Sequence, residues 1–304
     1  MSGIVVVGSA NIDQVFRVDR IPSPGETVLS HGVSMALGGK GQNQAVAAAR
    51  AGVPTTFIGA VGADSFGEMV RTGLSEDSIG VAQLRTSVKP TGTALIAVDG
   101  TGENTIIVEP GANSDVVTLT STDSEAISTA SALVMQLEIP LATVIESAVI
   151  AQAAETRVIL NAAPIQELPH ELLDTLDVLI VNEHEAAELA RYNGLAPELE
   201  GLGQRLLALV PTVIVTLGSQ GASLHRVGSD AVVVPAHRVT AVDATGAGDT
   251  FCGAFAAGLV EGMLADDALR FAVAAASISV ESHGAVPSIP LRAAIETRAK
   301  ESAN

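Results

Sequence analysis

Residues 242–255 read VDATGAGDTFCGAF, and the order of residue types in this stretch decides the fold. Ahead of it lies AVVVPAHRV, β-branched and ending in polar residues. Behind Asp249 comes TFCGAFAAGLVEGM, small and apolar with no proline. The pattern predicts strand, glycine turn, helix. A helix that opens on Gly246, Ala247 and Gly248 presents unpaired backbone N–H groups at the positive end of its dipole, so the turn can hold an anion. Two readings of Asp249 then compete. An acid in a first helical turn is favoured by the dipole alone. Beside a bound phosphate it is repelled, unless its task is to take a proton from a hydroxyl attacking that phosphate. These residues by themselves do not choose.

Working outward, β-branched runs alternate with Ala-rich stretches: IVVVG, GQNQAVAAARAG, TTFIGAVG, FGEMVRTGL, ALVMQLE, LATVIESAVIAQAAE, RVILNAAP, DVLIVNE, LGQRLLALV, TVIVTLG. That rhythm predicts βαβ units and an α/β fold whose mostly parallel sheet is covered on both faces, with ligands at the carboxyl ends of the strands. Two segments break it. Residues 13–37 and 91–113 are strand-like, with a hairpin signal at DGTGEN, and are expected to form a small separate sheet able to act as a lid.

Composition narrows the class. With 304 residues and 47% hydrophobic content the chain can build a sizeable core, and with no Trp and one Tyr that core must come from Ala, Val, Leu and Ile. A net charge of −18 argues against nucleic acid or an anionic membrane as partner and requires a local positive site for any anionic substrate. One cysteine, Cys252, excludes an internal disulfide framework. The N-terminal MSGIVVVGSANID has no basic leader and reads as a buried first strand, and no apolar run reaches about 18 residues, so a cytoplasmic protein without a membrane span is expected.

Polar residues gather at the predicted strand ends. Asn11 and Asp13, two apart in GSANID, share one side of an extended chain and supply donor and acceptor groups for adjacent hydroxyls, although a plain turn after a strand fits them too. LGGKGQNQAVAAARAG offers Gly38 and Gly39 for close approach of a ligand, with Lys40 as a cation and Asn43 as an amide. It is not a Walker A loop, because Ser34 stands where that motif needs Gly and Gly41 follows the lysine. Glu138 ends MQLEIP. Asn182 and Glu185 in VNEHEAAELA fit a capping box as well as a site. TLGSQGA places Thr216, Gly218, Ser219 and Gly221 after another strand.

Taken together, GSANID, PSPGET, GGKGQNQAVAAARAG, TGTALI, GENTIIVEPGAN, MQLEIP, VNEHEAAEL, TLGSQGA, DATGAGDTFCGAF and HGAVPSIP, in this order over nearly the whole chain, resemble the ribokinase group of PfkB-like carbohydrate kinases. The resemblance implies a ribokinase-like three-layer α/β/α domain spanning 1–304 with a β-sheet lid, and transfer of the γ-phosphoryl of Mg-ATP to a sugar hydroxymethyl group, D-ribose first. It implies that Asp249 is the base and Gly246, Ala247 and Gly248 the anion hole. Asn11, Asp13, Gly38, Gly39, Lys40, Asn43 and Glu138 would meet the sugar. Asn182, Thr216, Gly218, Ser219, Gly221 and Gly248 would meet the nucleotide, with apolar adenine contacts near Val273. Glu185 would organise Mg²⁺ through water. Asp243, Thr245, Ser279, Ser282, Gly284 and Ser288 would surround an activating K⁺. A homodimer joined through the lid is also implied.

Alternatives of other kinds fare worse. A related kinase for deoxyribose, fructose or a nucleoside keeps the same machinery. A NAD-linked dehydrogenase needs three spaced glycines after the first strand, where GSANID offers one. A silent sugar-binding protein has no use for Asp249 together with Glu185.

Overall fold

The computed structural model describes residues 3–301. Among the described residues, thirteen strands form two sheets: β1 (Ile4–Val7), β2 (Asn11–Arg17), β3 (Gly32–Gly38), β4 (Thr55–Gly62), β5 (Leu84–Ser87), β6 (Gly92–Val98), β7 (Asn104–Glu109), β8 (Ala132–Met135), β9 (Arg157–Asn161), β10 (Val178–Asn182), β11 (Thr212–Thr216), β12 (Ala222–Arg226) and β13 (Val232–Val234). The large sheet has the order β13-β12-β11-β10-β9-β8-β1-β4-β5. It is parallel from β11 to β5 and ends in an antiparallel hairpin through β12 and β13. Its central strands are short and buried on both faces, as their unbroken Val, Ile and Leu runs require. Two apolar cores result, one on each side of the sheet.

Strand order reverses around β1, where the chain first runs outward to β4 and β5 and then returns to fill the other side from β8 onward. The carboxyl ends of β1, β8, β9, β10 and β11 therefore open on one edge, with polar residues at or within three positions of them: Ser9, Glu138, Asn161, Asn182 and Thr216.

The second sheet has the order β3-β2-β6-β7, with β2 and β6 parallel and the outer pairs antiparallel. It joins the two segments expected to make a lid, with β2 beginning at Asn11 rather than at residue 13. Register puts Ala36, Asp13, Ala94 and Val108 in one row, and Met35, Gln14, Leu95 and Ile107 in the next, on the opposite face. Met35, Leu95 and Ile107 are exposed.

One expectation fails. The β-branched run before the glycine turn is a strand only over Val232–Val234 and does not lead into the turn. Pro235 supplies no N–H to extend the ladder, and the chain from 235 to 246 runs without strand or helix. The helix after the turn is as expected, Ala247–Val260, with Gly246 as N-cap at φ 74°.

That helix packs closely on helix Lys40–Arg50. A Cβ on Gly253 would stand 2.5 Å from Ala47 Cβ and 2.8 Å from the Ala48 nitrogen, so glycine here sets how closely the two backbones approach. The scarcity of aromatics and the alanine-rich helix thus have a structural use: they bring the first turns of both helices together.

Candidate active site

Asp249, in the first turn of helix Ala247–Val260, is buried. Asn43 Nδ2 donates to its Oδ2 at 2.9 Å and Gln44 Nε2 to its Oδ1 at 2.9 Å, both from helix Lys40–Arg50. Burial pushes the carboxyl up from its ordinary value, while Lys40 and these two amides pull the other way. A carboxylate that is dry yet supplied with amide donors can serve as a general base.

Beside it the helix end is open. Gly246 has no side-chain cap to offer, Ala247 donates its N–H to Ala244 at 3.2 Å, and no hydrogen bond among the described residues takes up the N–H groups of Gly248 and Asp249. A Cβ on Gly246 would come within 2.8 Å of Ala285 Cβ, and its φ is left-handed, so glycine is required there by the fold. Gly248 differs: its φ is not in the left-handed region and a Cβ would meet no protein atom within 4 Å. Protein packing gives no reason for glycine at 248, whereas an anion lying on the helix end does.

Lys40 stands at the N-terminus of its own helix, where the dipole disfavours a cation. Asp249 chiefly, then Glu138 and Glu185, hold its ammonium above the usual lysine range. Gly39 (φ 88°) caps that helix, and a Cβ there would meet the Asn11 nitrogen at 2.8 Å, which is how the loop comes so close to β2. Gly38 leaves room for the Asp13 carboxylate. Burial first, then Glu138 and Asp249, push Asp13 up to about 6. Glu138 Oε2 accepts from Ser9 Oγ at 2.6 Å and from the Lys40 N–H at 3.0 Å, linking the ends of β1 and β8 to the glycine loop. Asn11, Asp13, Gly38, Gly39, Lys40, Asn43, Glu138 and Asp249 thus form one polar cluster between lid and sheet. Asn43 Oδ1, buried, has no partner in it.

A cavity of about 230 Å³ runs from Lys40 and Asp249 past Gly246 and Gly248 to Asn182, Glu185 and Thr216. A second of about 500 Å³ continues from Gly248 and Thr216 to Gly218, Ser219 and Gly221, with apolar walls from Phe251, Val273, Ala276 and Val280. Asn182 and Glu185 make a full capping box: Asn182 Oδ1 accepts from the Glu185 N–H, and Glu185 Oε2 from the Asn182 N–H, each at 2.8 Å. The cap leaves the Asn182 amide nitrogen uncommitted, so structural and ligand-binding readings are compatible. Burial raises the Glu185 carboxyl from its ordinary value. No group of three or more potential metal-ligating side chains occurs among the described residues. A single carboxylate beside an anion site suits a hard divalent ion that arrives on phosphate oxygens and keeps its waters.

Behind the glycine turn, Asp243 ties two loops together. Its Oδ1 accepts from the N–H (2.9 Å) and hydroxyl (2.6 Å) of Thr245, and its Oδ2 from the Gly284 N–H at 2.8 Å. Burial alone would raise Asp243, but these hydrogen bonds carry it below its ordinary value. Ser279 and Ser288 spend their hydroxyls on Ala276 and Ala285 carbonyls, and Ser282 is exposed. Asp243, Thr245 and Gly284 are therefore joined directly, Ser279 is adjacent to the Val280 carbonyl that accepts from Val242 and Asp243, and no hydrogen bond among the described residues joins Ser282 or Ser288 to the Asp243 loop.

Sequence reasoning missed the residues that hold this cluster in place. Ser9 orients Glu138; Asn113 Nδ2 donates to Asn11 Oδ1 at 2.7 Å; Gln44, Gln136 and Asn161 stand behind Asp249. Gln44 had a signal, being a second amide beside Asn43 in a helix of alanines. Asn113 and Asn161 are distant in sequence and had none.

Known proteins resemble this chain over nearly its whole length. The model of the pfkB family carbohydrate kinase matches residues 1–292. Ribokinase of Schizosaccharomyces pombe is 41% identical over 303 residues, covering 95% of each chain, and that of Haemophilus influenzae is 39% identical over 296 residues with the same coverage. The structure of Arabidopsis thaliana ribokinase complexed with ribose and ATP superposes with a TM-score of 0.91 at 35% identity, covering 98% of this chain and 99% of that one. The chain belongs to the pfkB family of carbohydrate kinases.

Proposed function

We propose that the chain is an ATP-dependent ribose kinase that transfers the γ-phosphoryl group of Mg-ATP to the 5-hydroxyl of D-ribose, yielding ribose 5-phosphate. The observation that carries this reading is the buried Asp249 set between a polyol-sized polar cluster and an unfilled helix N-terminus, with a nucleotide-sized cavity beyond. The Arabidopsis relative, which binds ribose and ATP, supports it.

In this reading Asn11, Asp13, Lys40, Asn43 and Glu138 orient the sugar, with Gly38 and Gly39 giving it close access. Asp249 takes the proton of the attacking hydroxyl. The N–H groups of the Gly246–Gly248 turn stabilise charge on the transferred group, those of Gly246 and Gly248 directly and that of Ala247 once it leaves the Ala244 carbonyl. Thr216, Gly218, Ser219 and Gly221 meet the nucleotide with Asn182, and adenine lies against Val273 and Phe251. Mg²⁺, when bound, would neutralise phosphate charge, with Glu185 holding its water shell. Asp243, Thr245 and the carbonyls around Ser279, Ser282, Gly284 and Ser288 would hold K⁺, whose charge would order the loop that carries the glycine turn. Residues 1–304 act as one unit in the cytoplasm, as a homodimer through the apolar lid face bearing Met35, Leu95 and Ile107.

ADP release from Mg-ATP, measured with D-ribose, 2-deoxyribose, fructose, adenosine and no sugar, tests the assignment. Ribose is expected to give the fastest release, and to do so in K⁺ rather than in a bulky organic cation. Preference for adenosine would displace ribose as the substrate, and equal rates in both cations would remove K⁺ from the account.

The Asp13 carboxyl, at about 6, gives the site a pH signature. A sugar hydroxyl donates to the ionised form, so binding is strongest above that pH and weakens as pH falls through it. The KM for ribose is expected to rise by up to about tenfold per pH unit below 6. Asp13→Asn should lose that dependence while the KM for ATP stays unchanged in both proteins. An identical ribose KM profile in the two would assign the dependence elsewhere.

A further inference from the structure

Gln44 and Gln136 are completely buried polar side chains that the reaction as described does not use. They belong to a chain of side-chain amides that crosses the protein beneath the base. It is anchored at one end by backbone: Asn161 Nδ2, at the end of β9, donates to the Ile180 carbonyl of β10 at 3.2 Å. That bond fixes which way the Asn161 amide faces, leaving Asn161 Oδ1 to accept from Gln44 Nε2 at 3.1 Å. The same nitrogen's second hydrogen goes to Asp249 Oδ1 at 2.9 Å. At the far end, Gln136 Nε2 donates to Gln44 Oε1 at 2.7 Å, and glycine at position 8 leaves room for the Gln136 amide.

The polarity of this chain cannot be reversed without cost. Turning Gln44 over would aim its carbonyl at the Asp249 carboxylate and at Asn161 Oδ1, pairing acceptor with acceptor twice. The amide nitrogen is therefore held toward Asp249 by groups on three other elements. Oδ1 is committed to the interior, while Oδ2 lies on the side of Asn43, whose own Oδ1 is unpartnered.

We propose that Gln44 is a positioning residue for the phosphoryl-transfer reaction: oriented by Gln136 and Asn161, it fixes the plane of the Asp249 carboxylate and keeps it ionised and ready to accept the hydroxyl proton at Oδ2. The inference rests on Asp249 being the base. Its reason is electrostatic. Asp249 is dry, so its charged form is upheld only by the groups around it: Lys40 and Asn43 on the sugar side, and Gln44 within. The other ionisable groups facing it, Glu138, Asp13, Glu185 and Cys252, are acids that oppose its charge or neutral groups. A hydrogen bond to a charged acceptor is worth enough that losing one moves a buried carboxyl by about one pH unit or more.

The experiment compares wild type, Gln44→Met and Gln136→Met in two ways. Turnover with ribose and Mg-ATP is followed from pH 5 to 9, and the Asp249 carboxyl carbon is titrated by NMR in protein labelled at aspartate. Gln44→Met is expected to move the acid limb of kcat, and the Asp249 titration, upward by about one pH unit, with the ribose KM at pH 8 changed much less. Gln136→Met keeps the Gln44 donor but frees its orientation, and should shift both in the same direction by less. It also serves if Gln44→Met does not fold. Acid limbs and titrations that superimpose on wild type in a folded variant would overturn the proposal. Because the NMR titration needs no turnover, the proposal stands or falls on it even if ribose is not the substrate.

Discussion

Asp249→Ala is expected to lose turnover by about 10²-fold to 10⁴-fold, the range for removal of a general base. The loss should fall on kcat. Ribose still meets Asn11, Asp13 and Glu138, whose positions depend on Ser9, Asn113 and the Gly39 loop rather than on Asp249, whereas Asn43 loses its hydrogen bond to the removed carboxylate. Binding of ribose, measured by calorimetry, should therefore persist. Lys40 loses the main partner that holds its ammonium charged, so the basic limb of the remaining activity should move downward. Turnover close to wild type would remove Asp249 from the role of base and return it to the helix-dipole reading.

Gly248→Val is expected to fold as well as wild type and yet be nearly inactive. Its backbone φ is not in the left-handed region and a Cβ there meets no protein atom within 4 Å, so neither backbone strain nor a clash at Cβ opposes the substitution. Valine has higher helix propensity than glycine, so Tm should not fall. The new side chain would occupy the space beside the free N–H groups that both cavities share. Loss of that anion contact should cost about 10²-fold to 10³-fold in kcat. The contrast with Gly246 sharpens the test: valine there is left-handed and strikes Ala285, so it should destabilise the protein as well. An active Gly248→Val enzyme would show that the phosphoryl group does not sit on this helix end.

What could be read from sequence was what is local. A glycine turn, its acid and the start of its helix lie within four residues, Gly246 to Asp249, and the capping box at Asn182 and Glu185 lies within four, so the order of residue types reveals them. The parallel sheet followed from β-branched runs spaced by alanine-rich ones. The lid followed from a break in that rhythm. Support between distant segments was not legible. Gln44 touches Asp249 across 205 positions and Asn161 across 117, and the amide run Gln42-Asn43-Gln44 does not tell which of its members reach the acid. The overlong strand before the turn was misread because β-branched composition was given more weight than Pro235, which ends the ladder. Gly253, which the sequence reading did not single out, sets the helix spacing on which the Asn43 and Gln44 contacts depend.

The central claim is that the site delivers a phosphoryl group from ATP to the hydroxymethyl end of a pentose held by Asn11, Asp13 and Glu138. The most direct measurement incubates the protein with Mg-ATP, K⁺ and D-ribose and follows the phosphorus spectrum with proton coupling. The account predicts ADP and a new sugar phosphate in equal amounts, the phosphate split by the two C5 protons. Inorganic phosphate without sugar phosphate, a phosphate coupled to the anomeric proton, or no reaction with ribose would contradict it.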